Sequence, residues 1–252
     1  MESGWDSKNK LWSNQDISTG NGIAPLATGS HLTAFTWSEN GVRQIRVYYQ
    51  GQDGYIREAA YNNTSTGGWW KGAAPTIQDF PQARSGTGLA IVSFPETDER
   101  EAKLFYQNMD GKLVSYDYKP AATFAESWQN QDRGFPALFL RMDIWYLLTN
   151  FPSTASVDHG SIPDGTHLTA VFITSTVMTL RIYFVRDGKL VEIWWRKADK
   201  WNSSNMHEAA APGVSAVSYY DDVHVFFQNK TEYLSALGFN WYVNQWQFTG
   251  II

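Results

Sequence analysis

The chain contains no cysteine, which excludes disulfides and thiolate metal centres and leaves strand pairing and core packing to close the fold. Long apolar runs are also missing: nothing approaches the roughly 20 consecutive apolar residues of a membrane-spanning helix. The opening MESGWDSKNK is polar and lacks the hydrophobic centre of a secretory signal. Positive charge is scarce, with 20 Lys and Arg against 25 Asp and Glu, a net charge of −5 and a pI near 5.5. That balance offers no electrostatic footprint for nucleic acid or an anionic membrane. Histidines are few, and His31, His159, His167, His207 and His224 stand at no metal-ligand spacing from one another. Gly-x-Ser-x-Gly, Walker and dinucleotide-binding motifs are absent, so no standard hydrolase or nucleotide-binding signature emerges. The charged run from Glu96 to Glu101 reads as a solvated loop rather than as a paired-carboxylate glycosidase site. No cofactor and no metal are expected.

What is abundant is aromatic: 12 Trp, 13 Tyr and 14 Phe. Alternation of apolar and polar residues is frequent, while apolar residues at helical spacing are missing from any long stretch. A chain of 252 residues with this pattern is expected to form one all-β domain over 1–252. The most informative stretch runs from Ile45 to Trp70, IRVYYQGQDGYIREAAYNNTSTGGWW. Two alternating runs flank Asp53-Gly54, a dipeptide that favours the tight turn of an antiparallel hairpin. Arg46 and Glu58 are expected to come together across that hairpin, with Trp70 as a flat apolar surface beside them.

Variants of this stretch recur. AKLFYQNMDGKLVSYDY keeps an Asp-Gly turn at Asp110-Gly111, but Lys103 and Ser115 stand where Arg46 and Glu58 stood. LRIYFVRDGKLVEIWWRKADKW keeps both charges, Arg181 and Glu192, around Asp187-Gly188 and ends at Trp201. Its preceding strand also repeats His-Leu-Thr-Ala, at His31 to Ala34 and again at His167 to Ala170. A last copy, VSAVSYYDDVHVFFQNKTEYLSALGFNWYVNQW, has His224 and Ser235 at the polar positions and Trp246 near its end. The interval between positions 103 and 181 is about twice an ordinary one and holds the apolar run FPALFLRMDIWYLLTNF, read as a degenerate unit. Repeats of this kind indicate a β-propeller. Five repeats are recognisable, and the N- and C-terminal segments are expected to close a six-bladed ring, which would satisfy open strand edges. The three Asp-Gly turns lack the further spaced oxygen ligands of calcium loops.

The arrangement Arg-x-Tyr, turn, Glu and Trp, seen in IRVYYQGQDGYIRE with Trp70 and in LRIYFVRDGKLVE with Trp201, resembles the fungal fucose-specific lectin family. The resemblance implies a six-bladed propeller that holds fucose, without metal, in pockets between adjacent blades, and a fucosylated glycan as partner. The residue chemistry agrees. A carboxylate accepts hydrogen bonds from neighbouring sugar hydroxyls, a guanidinium donates in a fixed plane, and an indole covers the C–H face of the ring. With only Arg46/Glu58/Trp70 and Arg181/Glu192/Trp201 complete, the number of sites is reduced. The plain alternative for each trio is an exposed cross-strand ion pair contributing roughly 0–1 kcal/mol.

A second functional reading stays open. Cofactor-independent fungal natural-product cyclases, the hetero-Diels–Alderases of tropolone–sesquiterpenoid pathways, are similar to the same lectin fold. Such an enzyme holds two apolar reactants in a reactive geometry, so its partner is an apolar small molecule and its candidate aromatic pocket is Phe139, Trp145 and Tyr146. Four N-x-Ser/Thr sequons, at Asn62, Asn63, Asn202 and Asn229, are candidate glycosylation sites. Their use would place the protein in the secretory pathway; without it, the expectation is a soluble intracellular protein. Oligomeric state has no sequence signal.

Overall fold

A computed structural model describes residues 2–6, 8–17, 20–64, 68–72, 82–93, 101–118, 128–129, 162–173, 179–196, 200–209, 211–219, 222–231, 233–240 and 245–251. Alternating, β-branched and aromatic segments form antiparallel sheets throughout. A two-stranded sheet, β1 (Glu2–Asp6) and β2 (Leu11–Gln15), precedes four sheets of four strands each. Blade 1 is β3 (Leu32–Glu39), β4 (Val42–Gln50), β5 (Ile56–Asn62) and β6 (Gly68–Lys71). Blade 2 is β7 (Leu89–Ser93), β8 (Ala102–Gln107), β9 (Leu113–Tyr118) and β10 (Trp128–Gln129). Blade 3 is β11 (Thr169–Ile173), β12 (Thr179–Arg186), β13 (Lys189–Arg196) and β14 (Lys200–Glu208). Blade 4 is β15 (Val214–Tyr219), β16 (Asp222–Gln228), β17 (Leu234–Asn240) and β18 (Gln245–Ile251). Within each blade the strands pair in sequence order, the up-and-down meander of a propeller blade.

Three apolar cores lie in the seams between consecutive blades. Phe35, Trp37, Tyr48 and Ile56 of blade 1 pack on Leu89, Ile91, Leu104, Tyr106 and Tyr116 of blade 2. Phe105 of blade 2 packs with Leu180, Phe184, Ile193 and Trp195 of blade 3. Tyr183 and Val185 of blade 3 pack with Val225, Phe227, Leu237 and Phe239 of blade 4. The strand period of two is what allows this, because each blade shows one set of side chains to its predecessor and the other to its successor.

Repeated polar clips add register. Thr33 and Thr169, the threonines of the two His-Leu-Thr-Ala segments, accept from the Ile91 amide (3.1 Å) and the Ala216 amide (3.2 Å) of the following blade. Gln50 donates to the Ala83 and Arg84 carbonyls at 3.0 and 3.1 Å, and the equivalent Gln107 donates to the Ile162 carbonyl at 2.6 Å. Each such bond contributes about 1 kcal/mol net, and losing a buried partner costs more.

The turns differ from expectation in two of three cases. Asp187-Gly188 forms the tight two-residue connection, both residues having positive φ (53° and 69°) between paired Arg186 and Lys189. At Asp53-Gly54 and Asp110-Gly111 the loop has three residues. Gly54 bonds back to the Gly51 carbonyl and Gly111 to that of Asn108, and only the glycine is left-handed, at 81° and 76°.

The apolar run between Phe135 and Phe151 lies outside the described residues. Blades 2 and 3, which precede and follow it, are direct neighbours, so the doubled sequence interval adds no described sheet between them. Among the described strands, β1 pairs with β2 and β18 with β17; no described pairing joins the two ends of the chain.

Candidate functional site

Three seams carry the position at which the sequence places a cation two residues before an aromatic on the second strand of a blade. In blade 3, Tyr183 lies opposite Glu192 in register while Arg181 lies opposite Trp194, so Arg181 and Glu192 meet diagonally. Arg181 Nη1 donates to Glu192 Oε1, and the Tyr183 hydroxyl donates to the same oxygen at 3.0 Å. Burial, reinforced by the Glu192 charge, pushes the Tyr183 pKa well above the usual phenol value, so the hydroxyl stays a donor. Blade 4 closes the seam. The Arg181 guanidinium carbon lies 4.2 Å from the ring centre of Phe239 and 5.7 Å from that of Trp246, within cation–π range. Phe239 and Trp246 are themselves register partners, 5.1 Å apart.

Blade 1 repeats the constellation. Tyr48 lies opposite Glu58, and Arg46 Nε approaches Glu58 Oε1 at 3.4 Å. Here the aromatic surfaces come from the same blade: Trp37 and Trp70 lie 4.8 and 5.4 Å from the Arg46 guanidinium carbon. Arg46, Ala60 and Trp70 are in line across three strands, which is how the predicted trio of Arg46, Glu58 and Trp70 comes together. The amide of Gly72 donates to the Glu58 carbonyl at 3.0 Å, and a Cβ at Gly72 would overlap the Glu58 carboxylate. The two charged pairs are not the exposed cross-strand pairs of the plain alternative. Arg46 and Glu58 are 2% and 4% exposed, and Arg181 and Glu192 are 4% and 3%. Taking such charges out of water is expensive unless they are paired, so each carboxylate is bound to its arginine before any ligand arrives.

Trp201 does not join Arg181. It pairs with Trp195 and packs on the opposite face of blade 3, against the core shared with blade 2; Asn202 is the residue in line with Arg181. Trp195 and Trp201 therefore occupy, in the seam between blades 2 and 3, the positions that Phe239 and Trp246 occupy in the next. That seam's polar pair is the substituted one, Lys103 and Ser115, 1% and 6% exposed. In blade 4 the residue at the glutamate position is Ala236, opposite Phe226. Ser235 is one residue off and receives a 2.8 Å hydrogen bond from Asn229 Nδ2 in the turn. Phe239 and Trp246 escaped the sequence reading because they come from the blade after the one bearing Arg181 and Glu192. The signal was available: Tyr61–Trp69, Trp195–Trp201 and Phe239–Trp246 recur as aromatic pairs on the outer two strands.

Phe139, Trp145 and Tyr146 lie outside the described residues. An axial cavity of about 630 Å³ is bounded by the inner strands and the segments leading into them, and among the described residues its lining includes no Phe, Tyr or Trp. Of the sequons, Asn63 is exposed, whereas Asn62, Asn202 and Asn229 are partly buried. Among the described residues no three His, Asp or Glu gather as a metal site, and no helix is long and apolar enough to cross a membrane.

Comparison with known proteins matches this architecture. The profile of the fungal fucose-specific lectin family fits residues 2–157. The fucose-specific lectin of Aleuria aurantia is 24% identical over 249 residues, covering 84% of this chain and 76% of that protein. The Aspergillus fumigatus fucose-specific lectin is also 24% identical, over 84% of this chain and 60% of its own length. Among solved structures, the six-bladed propeller of the Aleuria aurantia lectin superposes with a TM-score of 0.63 at 21% identity, over 96% of this chain and 67% of that one. AofleA from Arthrobotrys oligospora superposes at 0.68 with 17% identity, over 99% and 64%. This chain is thus about two thirds as long as those solved propellers, with which it shares the fold. With the family profile fitting more than half of its residues, the chain belongs to the fungal fucose-specific lectin family.

Proposed function

We propose that the chain is a carbohydrate-binding lectin that takes fucose or a related neutral sugar at two seams, those of Arg46/Glu58 and Arg181/Glu192. The observation that carries this reading is the repetition of one constellation: Arg-x-Tyr opposite Glu, at the same register in two blades, each facing a seam and each with aromatic rings over the guanidinium. Guanidinium and carboxylate offer complementary donors and acceptors to vicinal hydroxyls, and the rings offer a surface to the sugar's C–H face. Because both pairs are nearly fully buried in the free protein, binding must turn a covering ring aside, and tryptophan fluorescence is expected to change on titration with methyl-fucoside. Two sites on one chain raise retention on a glycan-bearing surface above that of either alone.

The test is retention on immobilised fucose with elution by free fucose. Replacing Arg46 and Arg181 together by alanine should abolish it in a chain that still folds; retention that survives the double change removes this assignment. A second reading is favoured by the burial itself, since both pairs could act purely as structural clamps between blades. It predicts no response to any neutral sugar, with large stability losses on breaking either pair. The cyclase alternative gains no support from the axial cavity, whose described lining holds no Phe, Tyr or Trp.

A further inference from the structure

The duplicated His-Leu-Thr-Ala segment is not used by the sugar sites. Its threonines pin the inner strands of blades 1 and 3 to their successors, which fixes His31 and His167 at the mouths of β3 and β11. In blade 2 the corresponding position is Gly88. A Cβ there would overlap the Thr166 carbonyl oxygen and lie 2.8 Å from Leu168 Cγ, so the segment carrying His167 runs directly against it. With no side chain between them, the two imidazoles meet over blade 2, ring centres 4.1 Å apart and planes at 65°.

We propose that His31 and His167 together form a two-imidazole site for a divalent transition-metal ion, Cu²⁺ in preference to Ni²⁺ or Zn²⁺, at the axial cavity. Both side chains line that cavity of about 630 Å³, which leaves room for an ion and the waters that complete its coordination. Among the described residues neither imidazole has a hydrogen-bond partner, so a ring nitrogen of each is available. The remaining described lining residues are Gly, Ser, Thr, Ala, Val, Leu and Ile, and none of these carries a charge that would compete for the imidazoles. Rotation about χ2 is soft for histidine, so the two adjacent rings can reorient toward one ion, for which imidazole nitrogens sit at about 2.0–2.1 Å. Imidazole ligands suit copper, nickel and zinc, with Cu²⁺ held most tightly.

Untagged protein is titrated calorimetrically with copper(II) and zinc(II) salts, and the copper complex is examined by electron paramagnetic resonance for coupling to imidazole nitrogen. One ion per chain is expected, with copper tighter than zinc. His31→Ala and His167→Ala should each weaken binding by at least about 10-fold, while His207→Ala, on another face, should not. Circular dichroism of the metal-free variants verifies that they fold. Absence of saturable binding, or binding that survives both axial substitutions, overturns the proposal. Fucose retention is measured in parallel and is expected to be indifferent to the metal, so the two proposals fail separately.

Discussion

Glu192→Gln isolates what the buried ion pair contributes. The substitution keeps the size of the side chain and a carbonyl that can still accept from the Tyr183 hydroxyl, but removes the charge that compensates Arg181. Arg181 is 4% exposed, with Phe239 4.2 Å from its guanidinium carbon, so water does not readily replace the carboxylate. Breaking one side of such a pair typically costs 3–5 kcal/mol, whereas exchanging both members for apolar groups of similar volume is often neutral or stabilising. The expectation is therefore a loss of about 3 kcal/mol for Glu192→Gln and recovery to within about 1 kcal/mol of the wild type when Arg181→Met is combined with Glu192→Leu. Urea unfolding followed by tryptophan fluorescence and far-UV circular dichroism measures both. The double variant should stay folded yet lose its share of fucose retention, which separates the clamp from the sugar contact. If Glu192→Gln lies within about 1 kcal/mol of the wild type, the pair behaves as a solvated surface bridge and the burial argument is refuted.

Gly72→Ala should destabilise by about 1–3 kcal/mol, the usual cost of overpacking, because the added Cβ overlaps a Glu58 carboxylate held by Arg46; unchanged urea midpoints would contradict it. Gly88→Ala meets the Thr166 carbonyl, which is backbone, and should cost at least as much while separating blades 2 and 3; hydrogen exchange at that seam is the direct readout. The His31 pKa is lowered from 6.5 by burial first and His167 second. Below that value the unfolded chain binds a proton that the folded one resists, so stability falls on acidification. His31→Asn should lose less stability than the wild type between about pH 7 and about pH 5, and equal losses would count against the assignment. Asn229 accepts from the Thr231 and Tyr233 amides at 2.9 and 3.2 Å and donates to Ser235 at 2.8 Å. In a secretory host, glycopeptide mass spectrometry should find Asn63 occupied and Asn229 empty; a glycan on Asn229 refutes the reading of that turn.

Much of this architecture was legible because the repeats carry their own register. Alternation plus an Asp-Gly dipeptide located the hairpins, and the spacing from Arg46 to Glu58 and from Arg181 to Glu192 put each pair on one face. The failures are slips of parity. The repeat order groups Trp201 with Arg181, but Trp201 is the register partner of Trp195 and so turns to the other side of the sheet. Polarity makes Ser235 the apparent counterpart of Glu58, yet Ala236 holds that place. With a side-chain period of two, an error of one residue exchanges the faces completely, and nothing in a variable connection tells the reader which parity the next strand resumes. Burial was also hidden: a cross-strand Arg–Glu pair looks the same in sequence whether its face meets water or another blade.

The same parity determines how sites should be counted. Blades 1, 2 and 3 present Arg46/Glu58, Lys103/Ser115 and Arg181/Glu192 to the blade that follows, and blades 3 and 4 present their outer aromatic pairs to the blade before. Trp195 and Trp201 of blade 3 thus face a seam whose polar pair is Lys103 and Ser115, while Phe239 and Trp246 of blade 4 face Arg181 and Glu192. On the proposed reading the Arg181 seam needs halves from two blades, whereas the Arg46 seam draws its rings, Trp37 and Trp70, from its own blade. On the same reading, removing Glu58 or Glu192 should end a site even with every aromatic in place, and blade 3 carries its tryptophans opposite a half-seam of Lys103 and Ser115. Those tryptophans pack: Trp195 is fully buried in the core that joins blades 2 and 3, and Trp201 lies against it. Trp195→Ala should therefore cost about 3–5 kcal/mol of stability without removing either fucose site, whereas Trp246→Ala should weaken fucose binding at the Arg181 seam. Equal effects of the two substitutions on retention, at matched stability, would show that aromatic pairs serve every seam alike and that sites cannot be counted by complementary halves.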